Sequence, residues 1–145
     1  MNVMKTKLTQ KDFYLLSFTW GIVITLIGLI ITFVLLAMGK KPKKNYYGWY
    51  FEMGENWGGC NFGCVSLVAN NPTLNDLSHE FGHGIQNCKF GPFMIFIVLA
   101  SAIRYWYRRY LRFVKKIPHA KLPPYDSIWF EKEATDIGKY YFFED

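Results

Sequence analysis

TLNDLSHEFGHGIQN, residues 73–87, is the stretch on which the fold turns. It opens on Thr73, a good capping residue, and carries Leu74, Leu77, Phe81 and Ile85 at helical spacing. A helix is therefore expected from Thr73 to about Asn87. Residues four apart share one face of a helix, which stands His79 and His83 side by side with Glu80 next to them. This is the HExxH pattern, in which both imidazoles can reach one divalent ion while the acid stands beside it. The bland alternative is an amphipathic helix whose His and Glu merely face solvent. Two features weigh against it. The chain has 3 histidines, and His79 and His83 are two of them. Gly82 and Gly84 also lie inside the expected helix, each costing about 1 kcal/mol relative to Ala. Glycines tolerated in a helix commonly permit close packing or backbone approach to a site.

Upstream, no residue from Phe13 to Gly39 is charged, and Lys11, Asp12, Lys40, Lys41, Lys43 and Lys44 close the run on its two sides. About 20 apolar residues already span a bilayer as a helix, so 13–39 is expected to be a transmembrane anchor after a polar N-terminus (1–12). A signal peptide would have a shorter core and a small-residue cleavage site. Residues 40–55 read as a linker and 56–145 as the metal-binding domain. Within the latter, Cys64–Ala69 is expected as a short strand stopped by Asn70, Asn71 and Pro72. The apolar run between Lys89 and Arg104 is short for a full span. The helix over 90–107 is therefore expected to be interfacial, re-entrant or packed against the anchor. A last helix is expected near Ser127–Tyr141.

The 13 Phe, 10 Tyr and 5 Trp are dense for 145 residues and lie largely beside the apolar runs, as at a membrane interface. The net charge of +6 comes from Lys and Arg that bracket those runs. That placement suits anionic lipid headgroups and argues against nucleic acid as a partner. The 3 cysteines leave one unpaired under any intramolecular disulfide scheme, which leans towards a reducing compartment.

A hydrolytic metal centre needs a third protein ligand and an open position. Glu131 shares its helical face with Ala134, Thr135 and Gly138, all small, so that face can lie close against the HExxH helix. Glu133 shares a face with Trp129, Asp136 and Tyr140 and is expected to point outward. Glu131 is thus the preferred third ligand, against the alternative that both acids are ordinary surface charges. His119 and Tyr125, in the Pro-containing connection, are candidate oxyanion donors, and each also reads as a plain loop residue.

HEFGH followed far downstream by Glu131-Lys132-Glu133-Ala134 resembles the gluzincin pattern HExxH…ExxA(D). That pattern occurs in the CaaX prenyl protease and in bacterial heat-shock membrane peptidases. The wider SHEFGHGIQN…GP, an apolar helix and FEKEAT are similar to small bacterial membrane proteins without an assigned activity. The resemblance covers roughly residues 56 to 138. It implies Zn2+ held by His79, His83 and Glu131, Glu80 as catalytic base, and a metallopeptidase acting on a peptide or protein substrate. The chain departs from the pattern in placing Thr135 where Asp usually follows Ala, with Asp136 one residue out of register. The metzincin extension and a later LDG motif are absent.

The expected architecture is mainly α. A transmembrane helix precedes a small helical zincin-like domain with one short β element and an apolar interfacial or re-entrant helix. If Glu131 meets His79 and His83, all three lie on one side of the bilayer or at one depth. A two-span hairpin is the rival that would separate them. The lysine bias after the anchor places the metal-binding part on the cytoplasmic side of an integral protein of the bacterial plasma membrane. The lipid bilayer is then an expected partner and a homo-oligomer is admissible. An extended substrate is expected to pair with the Cys64–Ala69 strand by edge addition. The alternative functions are a structural or regulatory membrane protein with a fold-stabilising metal site, and a membrane partner protein with no metal.

Overall fold

A computed structural model describes residues 6–123 and 128–144. In chain order these form α1 (Gln10–Phe18), α2 (Ile22–Ala37), β1 (Lys43–Asn45), β2 (Gly48–Glu52), β3 (Cys60–Phe62) and β4 (Val65–Val68). They continue with α3 (Leu74–Phe90), a 3-10 turn at Gly91–Phe93, α4 (Met94–Phe113), a second 3-10 turn at His119–Lys121 and α5 (Trp129–Phe143). The mainly helical domain with a helical, apolar N-terminus stands as expected, but three of its parts differ.

The uncharged run 13–39 is not one helix. It breaks at Thr19-Trp20-Gly21, and α1 meets α2 at 95°. No proline causes the bend; contacts from α3 do. Asn87 Nδ2 donates to Gly21 O (3.1 Å) and to Thr25 Oγ1 (3.3 Å), and Trp20 Nε1 donates to Lys89 O (3.1 Å). A Cβ on Gly21 would lie 2.6 Å from Asn87 Nδ2, so the break admits only glycine without rearrangement. A helix as short as α2 rises only about 24 Å at 1.5 Å per residue, short of a bilayer core. The bent pair therefore matches an interfacial or re-entrant span.

The expected linker 40–55 instead supplies two strands. β1 and β2 pair as an antiparallel hairpin, with Tyr46 at its turn in the left-handed region (φ 56°). β2 runs parallel to β4, and β4 antiparallel to β3, so the sheet order is β1-β2-β4-β3. The expected Cys64–Ala69 strand is thus central. Val65, Ser66, Leu67 and Val68 are all buried, and both of β4's edges are already paired, which rules out substrate addition there. The edge near α3 belongs to β3. Gly28 of α2 lies against the Phe62 carbonyl, leaving no room for a side chain, and so α2 seats on this sheet.

α3 begins as the sequence predicts. Thr73 Oγ1 accepts from Asp76 N (3.1 Å), and the Asp76 carboxylate accepts from Thr73 N (2.9 Å), a reciprocal capping box. α3 packs most extensively against α5, and glycine sets the distance. A Cβ on Gly82 would run into the Ala134 carbonyl, and one on Gly138 into the Ser78 carbonyl. The two backbones touch. Phe81, Ile85, Ile137 and Tyr141 then close a core with Phe13 of α1.

α4 leaves the body after the 3-10 turn. Met94 and Ile97 are its buried positions, while Phe96, Leu99, Ile103, Trp106 and Phe113 are exposed. Together Leu74–Phe113 form 40 residues of helix containing a stretch long and apolar enough to cross a membrane, little of it buried. The outer face of α2 is equally bare, with Phe33 73% exposed. Apolar surface on this scale supports association with a membrane.

Ala normally stabilises a helix relative to Gly by about 1 kcal/mol. At Gly82 the sign should reverse, with Gly82→Ala costing about 1–3 kcal/mol through overpacking. Denaturant unfolding of the lipid-reconstituted variant checks this; a gain in stability would contradict the backbone contact.

Candidate metal centre

Glu131 stands in the first turn of α5, where the helix N-terminus favours a negative charge. Its Oε2 lies 3.0 Å from His79 Nε2 and 3.1 Å from His83 Nε2. The three donor atoms fall within 4.8 Å of one another. Tetrahedral bonds of about 2.0–2.1 Å would set neighbouring donors about 3.3 Å apart. The two distances from Glu131 to the histidines are within a few tenths of an ångström of that requirement. The helices of the two motifs have therefore brought together the very residues that the sequence pairs.

The second nitrogen of each ring decides what the first can do. Thr135 Oγ1 donates to the Glu131 carbonyl (3.2 Å), so towards His79 Nδ1, 2.9 Å away, it can only accept. Gln86 Nε2 donates to Phe130 O (2.8 Å) and to Glu133 Oε1 (3.2 Å), leaving its Oε1 to accept from His83 Nδ1 at 2.8 Å. Both Nδ1 atoms are thus the protonated ones. In a neutral ring each Nε2 then carries a lone pair, and both lone pairs converge on a carboxylate oxygen. Either the rings are protonated or a cation sits among the three donors. Burial opposes an imidazolium at His83, while Glu131 and Glu80 beside it raise its pKa overall, so the cluster calls for positive charge. One divalent ion satisfies all three groups, and the donor set fits it.

Glu131 is an anion. Burial alone would raise its carboxyl, but protonated His79 and His83 rings donating to it would outweigh burial and hold it well below the usual carboxylate range. Its other oxygen, Oε1, accepts from Ser101 Oγ of α4 at 2.9 Å. This fixes the plane of the carboxylate, directing one oxygen at the histidines and the other at α4.

Glu80 differs in kind. It is 6% exposed, and its Oε2 has no hydrogen-bond partner among the described residues. Gly59, with φ +81°, passes directly over it, and a Cβ there would lie 2.9 Å from Glu80 Oε1. Burial pushes the Glu80 carboxyl up, and the nearby histidines only partly offset this. An unpaired, desolvated carboxylate beside a cation site is a strong proton acceptor. Cys60 also lines this region, but burial pushes its thiol up to about 12, so it offers no thiolate.

Glu80 lies where two cavities meet, each of about 400 Å³. One is bordered by Ala69, Asp76, His79 and Thr135. The other is bordered by His83, Glu131 and the inner face of α4. Trp57, Gly58 and Gly59 belong to both. A ligand lying along this groove would cross Glu80.

No protein-family model matches this chain. No curated protein and no solved structure matches it either. What the site can do must be read from its own geometry, which is that of a zincin-like His/His/Glu centre.

Glu133 corrects an expectation. It does not point outward but accepts from Gln86 and from Lys89 Nζ (3.2 Å), because α5 turns that face towards the end of α3. Thr135, standing where the gluzincin pattern has Asp, is the partner of His79 Nδ1, and Asp136 is exposed. His119 stands in a 3-10 turn; its side chain, like Tyr125, lies outside the described residues. Sequence reasoning missed Gln86, Ser101 and the Trp57-Gly58-Gly59 segment. Gln86, three residues after His83 and so one turn further along the helix, was the legible signal.

Removing the partner of an imidazole typically weakens a metal 10–100-fold. Thr135→Val should therefore lower divalent-ion affinity about 10-fold or more, measured by competition with a chromophoric chelator. Unchanged affinity would mean that Thr135 does not orient His79.

Proposed function

We propose that this protein is a membrane-associated, zinc-dependent hydrolase of the gluzincin kind, a metallopeptidase cleaving peptide bonds at the membrane surface. His79, His83 and Glu131 are its ligands, and Glu80 is its general base. The observation that carries the reading is the pairing of a three-donor N/N/O set with a buried carboxylate that has no protein partner of its own among the described residues. Structural zinc sites are closed by four ligands and are commonly Cys-rich. Here the described cluster contains no cysteine, and Glu80 occupies the neighbouring space as an acceptor rather than a further ligand.

When bound, Zn2+ would lower the pKa of a water and polarise the scissile carbonyl. The remaining work falls to the chain. Glu80 Oε2 would take the water's proton and deliver it to the leaving amide nitrogen, which lets the C–N bond break without expelling an amide anion. Glu131, its plane set by Ser101, would keep both histidines oriented. Gly59 leaves room for a substrate backbone to approach Glu80. An extended substrate would use the β3 edge, since β4 is already paired on both sides.

The apolar faces of α2 and α4 would hold this groove at the bilayer. The lysines after α2 favour a cytoplasmic placement in a bacterial plasma membrane. A homo-oligomer is compatible with this arrangement.

Two variants test the reading. His79→Ala should abolish stoichiometric zinc, read by elemental analysis. Glu80→Gln should keep the zinc and lower peptide hydrolysis about 10²–10⁴-fold. Hydrolysis insensitive both to Glu80→Gln and to a chelator would remove the enzyme reading. A cobalt-substituted protein showing a closed, four-ligand spectrum would favour the structural alternative.

A further inference from the structure

The net charge of +6 is not spread over the molecule. Arg104, Arg108, Arg109, Arg112, Lys115 and Lys116 all fall within residues 104–116, at the end of α4 and just beyond it. These account for the whole excess, because 17 Lys and Arg exceed 11 Asp and Glu by the same amount. No acidic residue occurs anywhere from Phe81 to Tyr125. Arg109, Arg112, Lys115 and Lys116 are exposed. Among the described residues, no carboxylate lies within ion-pair distance of Arg109 or Arg112.

The outer face of α4 changes character along its length. Phe96, Leu99, Ile103, Trp106, Tyr110 and Phe113 recur at helical spacing and are all exposed, so they form one stripe. The stripe begins without charge and ends among the arginines. The Arg109 guanidinium lies 5.7 Å from the Trp106 ring centroid and 5.4 Å from that of Phe113, and Arg112 lies 5.4 Å from Phe113. Arg109 Nη1 donates to Tyr105 Oη at 3.0 Å, which leaves its other N–H groups for an acceptor outside the helix. A guanidinium stacked on aromatic rings is already oriented, and its planar fork matches a phosphate in bidentate fashion. Apolar, then aromatic, then cationic is the order met on passing from the acyl chains to the phosphates of a leaflet.

We propose that the end of α4 is a binding surface for anionic phospholipids, whose phosphates dock on Arg109 and Arg112 while their acyl chains lie along Leu99 and Ile103. Lys115 and Lys116 reach further into the headgroup layer. Apolar burial of the stripe favours any acyl chain equally, whereas the cations distinguish an anionic headgroup from a zwitterionic one. A nucleic acid would meet the same charge but would leave the apolar half of the stripe in water. Ser101, which holds Glu131, stands about 12 Å back from Arg109 along the helix axis, so lipid held here limits how far the metal centre lies from the phosphates. The binding itself needs neither metal nor catalysis.

The test uses the full-length protein in neutral maltoside micelles, titrated with dibrominated phosphatidylglycerol or dibrominated phosphatidylcholine. Quenching of Trp106, isolated by difference from Trp106→Phe, reads the binding. The wild type should bind phosphatidylglycerol at least about tenfold more tightly, since each Lys or Arg near an anionic headgroup contributes about fivefold. Arg109→Gln combined with Arg112→Gln should bring that ratio close to one, and high salt should lower it in the wild type. Arg109→Lys with Arg112→Lys should keep most of it. Lys132→Gln with Lys139→Gln removes as much charge from exposed positions of α5 and should leave the ratio unchanged. Equal affinity of the wild type for the two lipids would overturn the proposal. So would a ratio indifferent to salt, a reading that stands even if the arginine variant does not fold. An equal loss in the α5 variant would mean that net charge acts rather than this surface. Displacement of phosphatidylglycerol by a single-stranded oligonucleotide or by inorganic phosphate at equal concentration would show that the lipid assignment is wrong.

Discussion

Two helix backbones in direct contact hold the rest of this structure in place. Gly82 of α3 meets the Ala134 carbonyl, and Gly138 of α5 meets the Ser78 carbonyl. Any side chain at these positions would push the helices apart by a good part of its own diameter, and Glu131 with them. The donor atoms of His79, His83 and Glu131 lie within 4.8 Å of one another, so a shift of that size would break up the cluster. The glycines cost helix propensity and return geometric access. Around that contact, Phe81, Ile85, Ile137 and Tyr141 supply the apolar burial that keeps the pair closed.

Polar groups buried around the contact are satisfied in a chain rather than singly. Glu131 binds Ser101 through one oxygen and faces two imidazoles through the other, while Thr135 and Gln86 hold the far sides of those rings. Gln86 in turn reaches the α5 backbone and Glu133. Each member fixes the donor or acceptor state of the next, which is why the Nε2 lone pairs must point inward. Glu80 stands outside this network, its Oε2 unpaired among the described residues. In a low-dielectric groove such an oxygen costs stability and readily accepts a proton.

α4 links the centre to apolar surroundings. Its Ser101 touches Glu131, its inner face walls a cavity, and its outer face is bare hydrocarbon and aromatic surface. With α2 also exposed along one side, the molecule has little option but to bury these faces in lipid or against another chain. The 95° break between α1 and α2 is part of the same plan, since Asn87 at the end of α3 captures Gly21 where a straight helix would have carried on.

The local code determined a good deal. Thr73 and Asp76 start α3, the 3.6-residue period places His79 and His83 on one face, and the small-residue stripe on α5 singles out Glu131. Each is a short-range consequence of helical geometry and survives in any context that keeps the helices. The tertiary structure alone decided the rest. In an uncharged run such as 13–39 Gly21 permits a bend, but it is Asn87 and Trp20, packing against distant partners, that decide it is made there. Residues 40–55 look like a linker because each of their strands is short and gains stability only through pairing, which places β4 in the sheet's centre. Glu133's inward turn and Ser101's grip on Glu131 depend on where α4 and α5 cross α3. Such crossings are set by the sum of many contacts distant in sequence, and no window of residues contains them.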